Sequence, residues 1–219
     1  MVEHGGTRRP APRTRSASGR VAAVARPTEA ELQAALHRTV PDIVGPGLDV
    51  LFCGINPGRH SALTGRHFAG PGNRFWPALC ASGWTPRVLR PDEMGLLPRY
   101  GIGITNIVPR ATAQASELSR EELRAGGEAL AARVERLRPR VLAVLGMTAY
   151  RQAFGRPSAP AGPQDERVGG APVWVLPNPS GLNASWPLPR IAAALAEVRE
   201  AVGRPPAEPD QPGDARAPG

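Results

Sequence analysis

Short apolar runs closed by glycine or proline alternate along this chain with stretches whose apolar residues recur at helical spacing. Val50-Leu51-Phe52 opens a strand over about Asp49 to Cys53 and is apolar enough to be buried on both faces. Tyr100 to Val108, Val141 to Leu145 and Val173 to Leu176 read as further strands. Between them lie the helices. Thr28, with Glu31 three residues on, caps a short amphipathic helix carrying Leu32, Ala35 and Leu36 and ending near Val40. Asn73 caps a helix to about Ser82 that turns Phe75, Trp76 and Leu79 inward, and Pro91 to Arg99 reads as a short helix or turn. Ser119 and Glu122 form a capping box for a long helix with Leu123, Leu130, Val134 and Leu137 on one face. Gly126-Gly127 costs that helix ~1 kcal/mol per glycine against alanine, which implies tight packing. Met147 to Phe154 is a short helix, Gly155 to Gly170 an irregular loop, and Leu188 to Val202 the closing helix. Strands alternating with helices predict an α/β fold: a three-layer α/β/α sandwich around a short, mainly parallel central sheet.

Composition sets the limits of that body. Residues 1–26 are rich in Arg, Pro, Gly, Ser and Ala, and residues 204–219 in Pro, Ala, Asp and Gly. Neither segment has enough large apolar side chains to offset the entropy of ordering. The expected organisation is a disordered basic arm over 1–26, a folded domain over 27–203 and a disordered tail over 204–219. The net charge is +8, and every basic side chain is arginine, because the chain contains no lysine. Residues 41–203 carry eighteen Arg against thirteen acids, and residues 1–40 seven Arg against three. A basic body with a basic arm fits a polyanionic partner such as nucleic acid, although arginine in place of lysine also follows from genome composition alone. Cys53 and Cys80 both fall in apolar patterns and read as buried thiols. No apolar run approaches the ~20 residues needed to span a bilayer, and the N-terminus lacks a secretory apolar segment, so the expectation is a cytoplasmic protein, monomeric and without membrane contact.

The chemistry concentrates in loops that follow strands. Gly54-Ile55-Asn56-Pro57-Gly58 ends the first strand, and Pro177-Asn178-Pro179-Ser180-Gly181 follows the last. In a parallel sheet both loops open on the carboxyl edge, where they can converge across one cleft. Asn-Pro is also ordinary turn chemistry, so the first loop alone admits a purely structural reading. A Gly-rich stretch with Phe68 suits a flat polar ligand, and Leu182 is either an apolar wedge for a base stack or a side chain folded onto the core. No nucleophilic triad, Walker-type Gly-Lys or His/Cys cluster at metal spacing occurs, so neither metal nor cofactor is expected. No carboxylate lies between Asp49 and Asp92. An asparagine amide can orient a water but cannot take its proton at neutral pH. Such a site suits a reaction whose leaving group departs early, so that water traps a cation.

From about Asp49 to Val202 the chain resembles the mismatch-specific uracil/thymine-DNA glycosylases of the uracil-DNA glycosylase superfamily. The resemblance rests on GINPG at 54–58, FAGPGNRFW at 68–76 and LPNPSGL at 176–182, in family order. It implies a monofunctional enzyme that flips mispaired uracil from double-stranded DNA and hydrolyses the N-glycosidic bond, leaving an abasic site. By that likeness Asn56 is catalytic and positions the attacking water. The backbone at Ile55 and Gly58 meets the base edge, Phe68 stacks on the flipped base, and Ser61 and Asn178 complete the substrate-binding set. Leu182, flanked by Gly181 and Asn183, fills the vacated stack and touches the opposite guanine. Bacterial relatives carry an Arg two residues beyond the wedge, where this chain has Ala184, which puts strand clamping in doubt. Ser61 is the residue of uracil-preferring members, whereas His67 and Gly70-Pro71-Gly72-Asn73 resemble the thymine-accepting branch. A hydroxyl near C5 crowds a methyl directly, so G·U is expected to be cut well and G·T poorly. Pyrimidines with exocyclic adducts such as etheno-cytosine also fit such a pocket.

Two alternatives remain at this level. One is a non-catalytic module that binds mispaired or damaged DNA through the same pocket and wedge; the other is a nucleotide-binding α/β protein unrelated to DNA. For the glycosylase reading, the lack of lysine excludes a Schiff-base lyase through a lysine. His60 and His67 read as loop residues, Arg74 and Arg110 as solvated or phosphate-facing side chains, Trp76, Trp84 and Trp174 as packing residues, and Asn106 as a weak candidate for the pocket wall.

Overall fold

The computed structural model describes Met1 and residues 26–208, so most of the expected basic arm and the tail beyond Glu208 lie outside the described residues. The strands β1 (Val50–Gly54), β2 (Ile102–Asn106), β3 (Val141–Leu145), β4 (Gly162–Val168) and β5 (Ala171–Leu176) form one five-stranded sheet in the order β2-β1-β3-β5-β4. β1 pairs in parallel with β2 and β3, and β3 with β5; β4 runs antiparallel to β5 at the edge.

The central strands β1, β2 and β3 are buried at every position, β1 and β3 through apolar runs and β2 with Thr105 and Asn106 buried at its carboxyl end. Alternation along β1 sends Val50 and Phe52 into one core and Leu51 and Cys53 into the other. The first core is closed by α3 (Phe75–Ala81) and α6 (Leu188–Ala201), with Phe52 meeting Phe75 edge-on at 5.5 Å between ring centroids. The second is closed by α4 (Arg120–Leu137) and α5 (Met147–Ala153). The result is the expected three-layer α/β/α sandwich. Both capping boxes are present: Thr28 with Glu31 starts α1 (Glu29–Ala34), and Ser119 with Glu122 starts α4. The Gly126-Gly127 pair is explained by proximity, because a Cβ on Gly126 would lie 2.6 Å from the Ile107 carbonyl oxygen and one on Gly127 2.9 Å from that of Ala153. Trp76 and Trp84 are core residues, as expected.

Several boundaries differ from the sequence reading: Arg59–Thr64, read as loop, is the short helix α2, and α3, read as capped by Asn73, has Arg74 at its N-cap. The segment expected to be an irregular loop over Gly155 to Gly170 contains β4. Its residues, Gly-Pro-Gln-Asp-Glu-Arg-Val, show no apolar alternation because only Val168 of the strand is buried, and Pro163 is tolerated because an edge strand bonds on one side only. At the other end, Arg204 to Ala207 still holds to the body. Arg204 pairs with Asp49, and the Ala207 N–H donates to the Gly83 carbonyl at 2.7 Å.

β1 is central, and the chain leaves it first to β2 on one side and later to β3 on the other. The carboxyl ends of β1 and β3 therefore part at a topological switch point, where open α/β sheets place their ligands.

Candidate functional site at the carboxyl edge of the sheet

At that switch point a cleft of about 930 Å³ opens over the ends of β1, β2, β3 and β5. The two Asn-Pro loops converge there. Ile55, Asn56, Gly58, Ser61, Phe68, Asn178, Gly181 and Leu182 all line it, whereas Asn183 does not.

The floor exists because β1 ends in glycine. A Cβ on Gly54 would lie 2.5 Å from Asn106 Oδ1 and 3.4 Å from the Phe68 ring, so only glycine lets both groups close over the strand end. Asn106, weakly favoured from sequence, is 7% exposed and lines the cleft from the end of β2. Beside it, the Asn56 side chain is fixed at one end. Its Nδ2 donates to the Arg110 carbonyl at 2.9 Å and to Thr112 Oγ1 at 2.7 Å. Both amide N–H groups are thereby satisfied on one wall, and no described residue donates to Oδ1, the free acceptor of this cleft-lining amide.

Phe68 forms a side wall. It stacks on Phe75 with centroids 4.1 Å apart and 25° between planes, and its φ of 54° lies in the left-handed region. That backbone is held on both sides. Ser61 Oγ accepts from the Ala69 N–H at 3.2 Å, and His67 Nε2–H donates to the Pro41 carbonyl at 2.9 Å. Burial lowers the His67 pKa, against the opposing hydrogen bond to Pro41 and the Asp42 charge. His60 and His67 both line the cleft, His67 almost fully buried.

The second loop is tied by its own amides. Asn178 Oδ1 accepts from the Ser180 N–H at 3.0 Å, and Asn183 Nδ2 donates to the Asn178 carbonyl at 3.1 Å. Leu182 stands at the tip, 95% exposed, which removes the reading in which it folds onto the core. Arg110 is not free for a phosphate. It makes a bidentate pair with Glu122, at 2.8 and 3.1 Å, which lowers the Glu122 carboxyl to about 2. Arg74 turns inward toward the second loop.

Sequence reasoning missed the segment from Thr112 to Ser116, which lines the side of the cleft that carries the anchor of Asn56. The signal available was positional: it follows β2, whose carboxyl end opens on the same edge. Among the described residues lining the cleft there is no Asp or Glu, and the described residues hold no cluster of His, Cys, Asp and Glu suited to a metal. The site can therefore stack a flat ring, present amides to its edge and orient a water, without a carboxylate base.

Comparison with known proteins places the chain in a family. The model of the uracil DNA glycosylase superfamily matches residues 41–201. The chain belongs to the uracil DNA glycosylase superfamily. Members of this superfamily are glycosylases of DNA repair that act on DNA. The fold is also similar to the solution structure of a protein named as a candidate uracil DNA glycosylase from Methanosarcina acetivorans. That match has a TM-score of 0.54 and 19% identity, and covers 74% of this chain and 96% of the other. No helix among the described residues is long and apolar enough to cross a membrane.

Proposed function

We propose that this member of the superfamily is a monofunctional, mismatch-specific glycosylase that extrudes uracil from G·U pairs in duplex DNA and hydrolyses its N-glycosidic bond. The observation that carries the reading is the anchoring of Asn56: with both N–H groups held by Arg110 and Thr112, its Oδ1 is left to accept a hydrogen bond from water in the cleft. Without a carboxylate in the lining, bond cleavage runs ahead of attack. The electron pair of the C1′–N1 bond leaves with the pyrimidine as an anion, and the sugar becomes an oxocarbenium ion. The oriented water adds to C1′ and loses its proton to solvent, from which the departed pyrimidine anion is reprotonated. Phe68 stacks on the extruded ring, and the Asn106 and Asn178 amides and the backbone at Ile55 and Gly58 meet its polar edge, favouring charge on the departing base.

Extrusion costs about a few kcal/mol and least at weak pairs, so G·U and G·T are selected partly by their own instability. Leu182 fills the gap left in the stack, with Gly181 and Asn183 next to the opposite guanine. Ser61, buried beside Phe68, disfavours the thymine methyl. The test is release of uracil from a G·U duplex, read as strand breaks after alkali, by wild type and Asn56→Ala. Loss of breaks with Asn56→Ala is the expected result, and equal yields from the two proteins would refute the role of Asn56.

A further inference from the structure

The tip carrying Leu182 has no apolar anchor, since that side chain is 95% exposed, yet the loop beneath it is closely tied. Besides the loop's own Asn178 and Asn183 amides, one guanidinium ties it to the rest of the fold. Arg74 Nη1 donates to the carbonyls of Asn183 and Trp186, each at 2.9 Å, with a longer contact of 3.5 Å to Ser180, and Nη2 donates to the Gly181 carbonyl at 3.0 Å. The Arg74 backbone N–H adds a bond to the Pro179 carbonyl at 2.8 Å. Gly181 sits so close to the preceding turn that a Cβ on it would lie 2.6 Å from the Gly72 carbonyl oxygen. A loop that presents carbonyls inward needs a donor at its centre. Arginine supplies planar, permanently charged donors that no single lysine could spread over the same span.

We infer that Arg74 is a positioning residue that registers the Leu182 tip against the base pocket. The inference rests on the glycosylase reading above and deepens it. Arg74 immediately precedes Phe75, the residue on which Phe68 stacks, so two adjacent residues hold the stacking wall and the wedge loop at one fixed separation. Extrusion by the tip and capture by the pocket are then a single rigid arrangement. With its donors turned to loop carbonyls, Arg74 acts on DNA through the loop and not by gripping a phosphate.

The test combines hydrogen exchange with cleavage kinetics for Arg74→Ala, Arg74→Lys, Leu182→Ala and the double variant Arg74→Ala/Leu182→Ala. In Arg74→Ala, exchange at Leu182 to Trp186 should rise by at least about tenfold, the factor that one hydrogen bond to a charged group is worth, while β1 and β3 stay as in wild type. Arg74→Lys should recover only part of that protection. Cleavage of a G·U duplex should fall with Arg74→Ala, and the double variant should be no slower than the slower single one, because both changes disable the same wedge. Unchanged loop exchange, acceleration spread equally over the sheet, or losses that multiply in the double variant would each overturn the inference. If wild type releases no uracil, the glycosylase reading fails by itself, and the exchange experiment still decides whether Arg74 holds the loop.

Discussion

Thr112 offers a sharper probe of the role proposed for the Asn56 amide than Asn56 itself. Thr112 is buried, and its hydroxyl accepts from Asn56 Nδ2 at 2.7 Å; the Arg110 carbonyl, at 2.9 Å, is the other partner. Thr112→Val keeps the shape and removes the acceptor, so the amide is held from one side only. A neutral hydrogen bond contributes about 0.5–1.5 kcal/mol net, which bounds the lost bias toward the productive orientation at roughly two- to tenfold in rate. Asn56→Ala removes the orienting group altogether, and a misplaced reactant costs on the order of a hundredfold. If Oδ1 holds the attacking water, as proposed, Thr112→Val should lower kcat and leave KM near its wild-type value. Thr112→Ser restores the hydroxyl and should restore most of the rate. Single-turnover cleavage of a G·U duplex, quenched with alkali, measures all three variants. Wild-type rates for Thr112→Val beside a disabled Asn56→Ala would mean that something other than this hydroxyl aims the amide, and the reasoning would be wrong.

The remaining predictions concern specificity, pH and packing. Wild type should cut G·U well and G·T poorly, with Ser61→Ala narrowing the gap at some cost to the Ala69 hydrogen bond; comparable wild-type turnover on the two mispairs would defeat the assignment. Burial depresses the His67 pKa below its ordinary 6.5, so the folded state resists protonation that the unfolded chain accepts. Stability should be full above about pH 6.5 and decline as pH falls toward the lower folded value; His67→Gln should flatten that slope in thermal melts. Gly126→Ala gains ~1 kcal/mol of helix propensity but forces a Cβ to 2.6 Å from the Ile107 carbonyl oxygen, a backbone atom that cannot turn aside. Overpacking of this kind costs about 1–3 kcal/mol, so urea unfolding should show net destabilisation.

What could be read from the sequence follows the range of the interactions involved. Caps are local: Thr28 with Glu31 and Ser119 with Glu122 announce their helices within four residues, and both are present. Buried parallel strands announce themselves by apolar or β-branched runs, which is why β1, β2 and β3 were legible and the polar edge strand β4 was not. The convergence of Asn56 and Asn178 followed from topology, since parallel strands share a carboxyl edge. The anchors of Asn56 lie 54 and 56 residues away, on backbone and hydroxyl groups with no sequence signature. Arg74 is the instructive case. An arginine next to an Asn in a glycine-rich loop suggests solvent or phosphate, and only the folded chain shows that its donors turn to carbonyls more than a hundred residues later.

The strained backbone at Phe68 completes the physical picture of the cleft. A non-glycine residue in the left-handed region costs roughly 1–2 kcal/mol and persists only where its surroundings fix it. Here the ring stack on Phe75, the Ser61 hydroxyl on Ala69 and the His67 bond to Pro41 fix it from three directions. The same conformation sets the ring against Gly54, where no other residue would leave room. The wall that would meet a base is therefore in place before any base arrives, as is the amide held by Arg110 and Thr112. A site without a carboxylate needs that order. With no proton acceptor to strengthen the nucleophile, its advantage must come from donors, acceptors and a ring already fixed where charge develops, at no cost of rearrangement during the reaction.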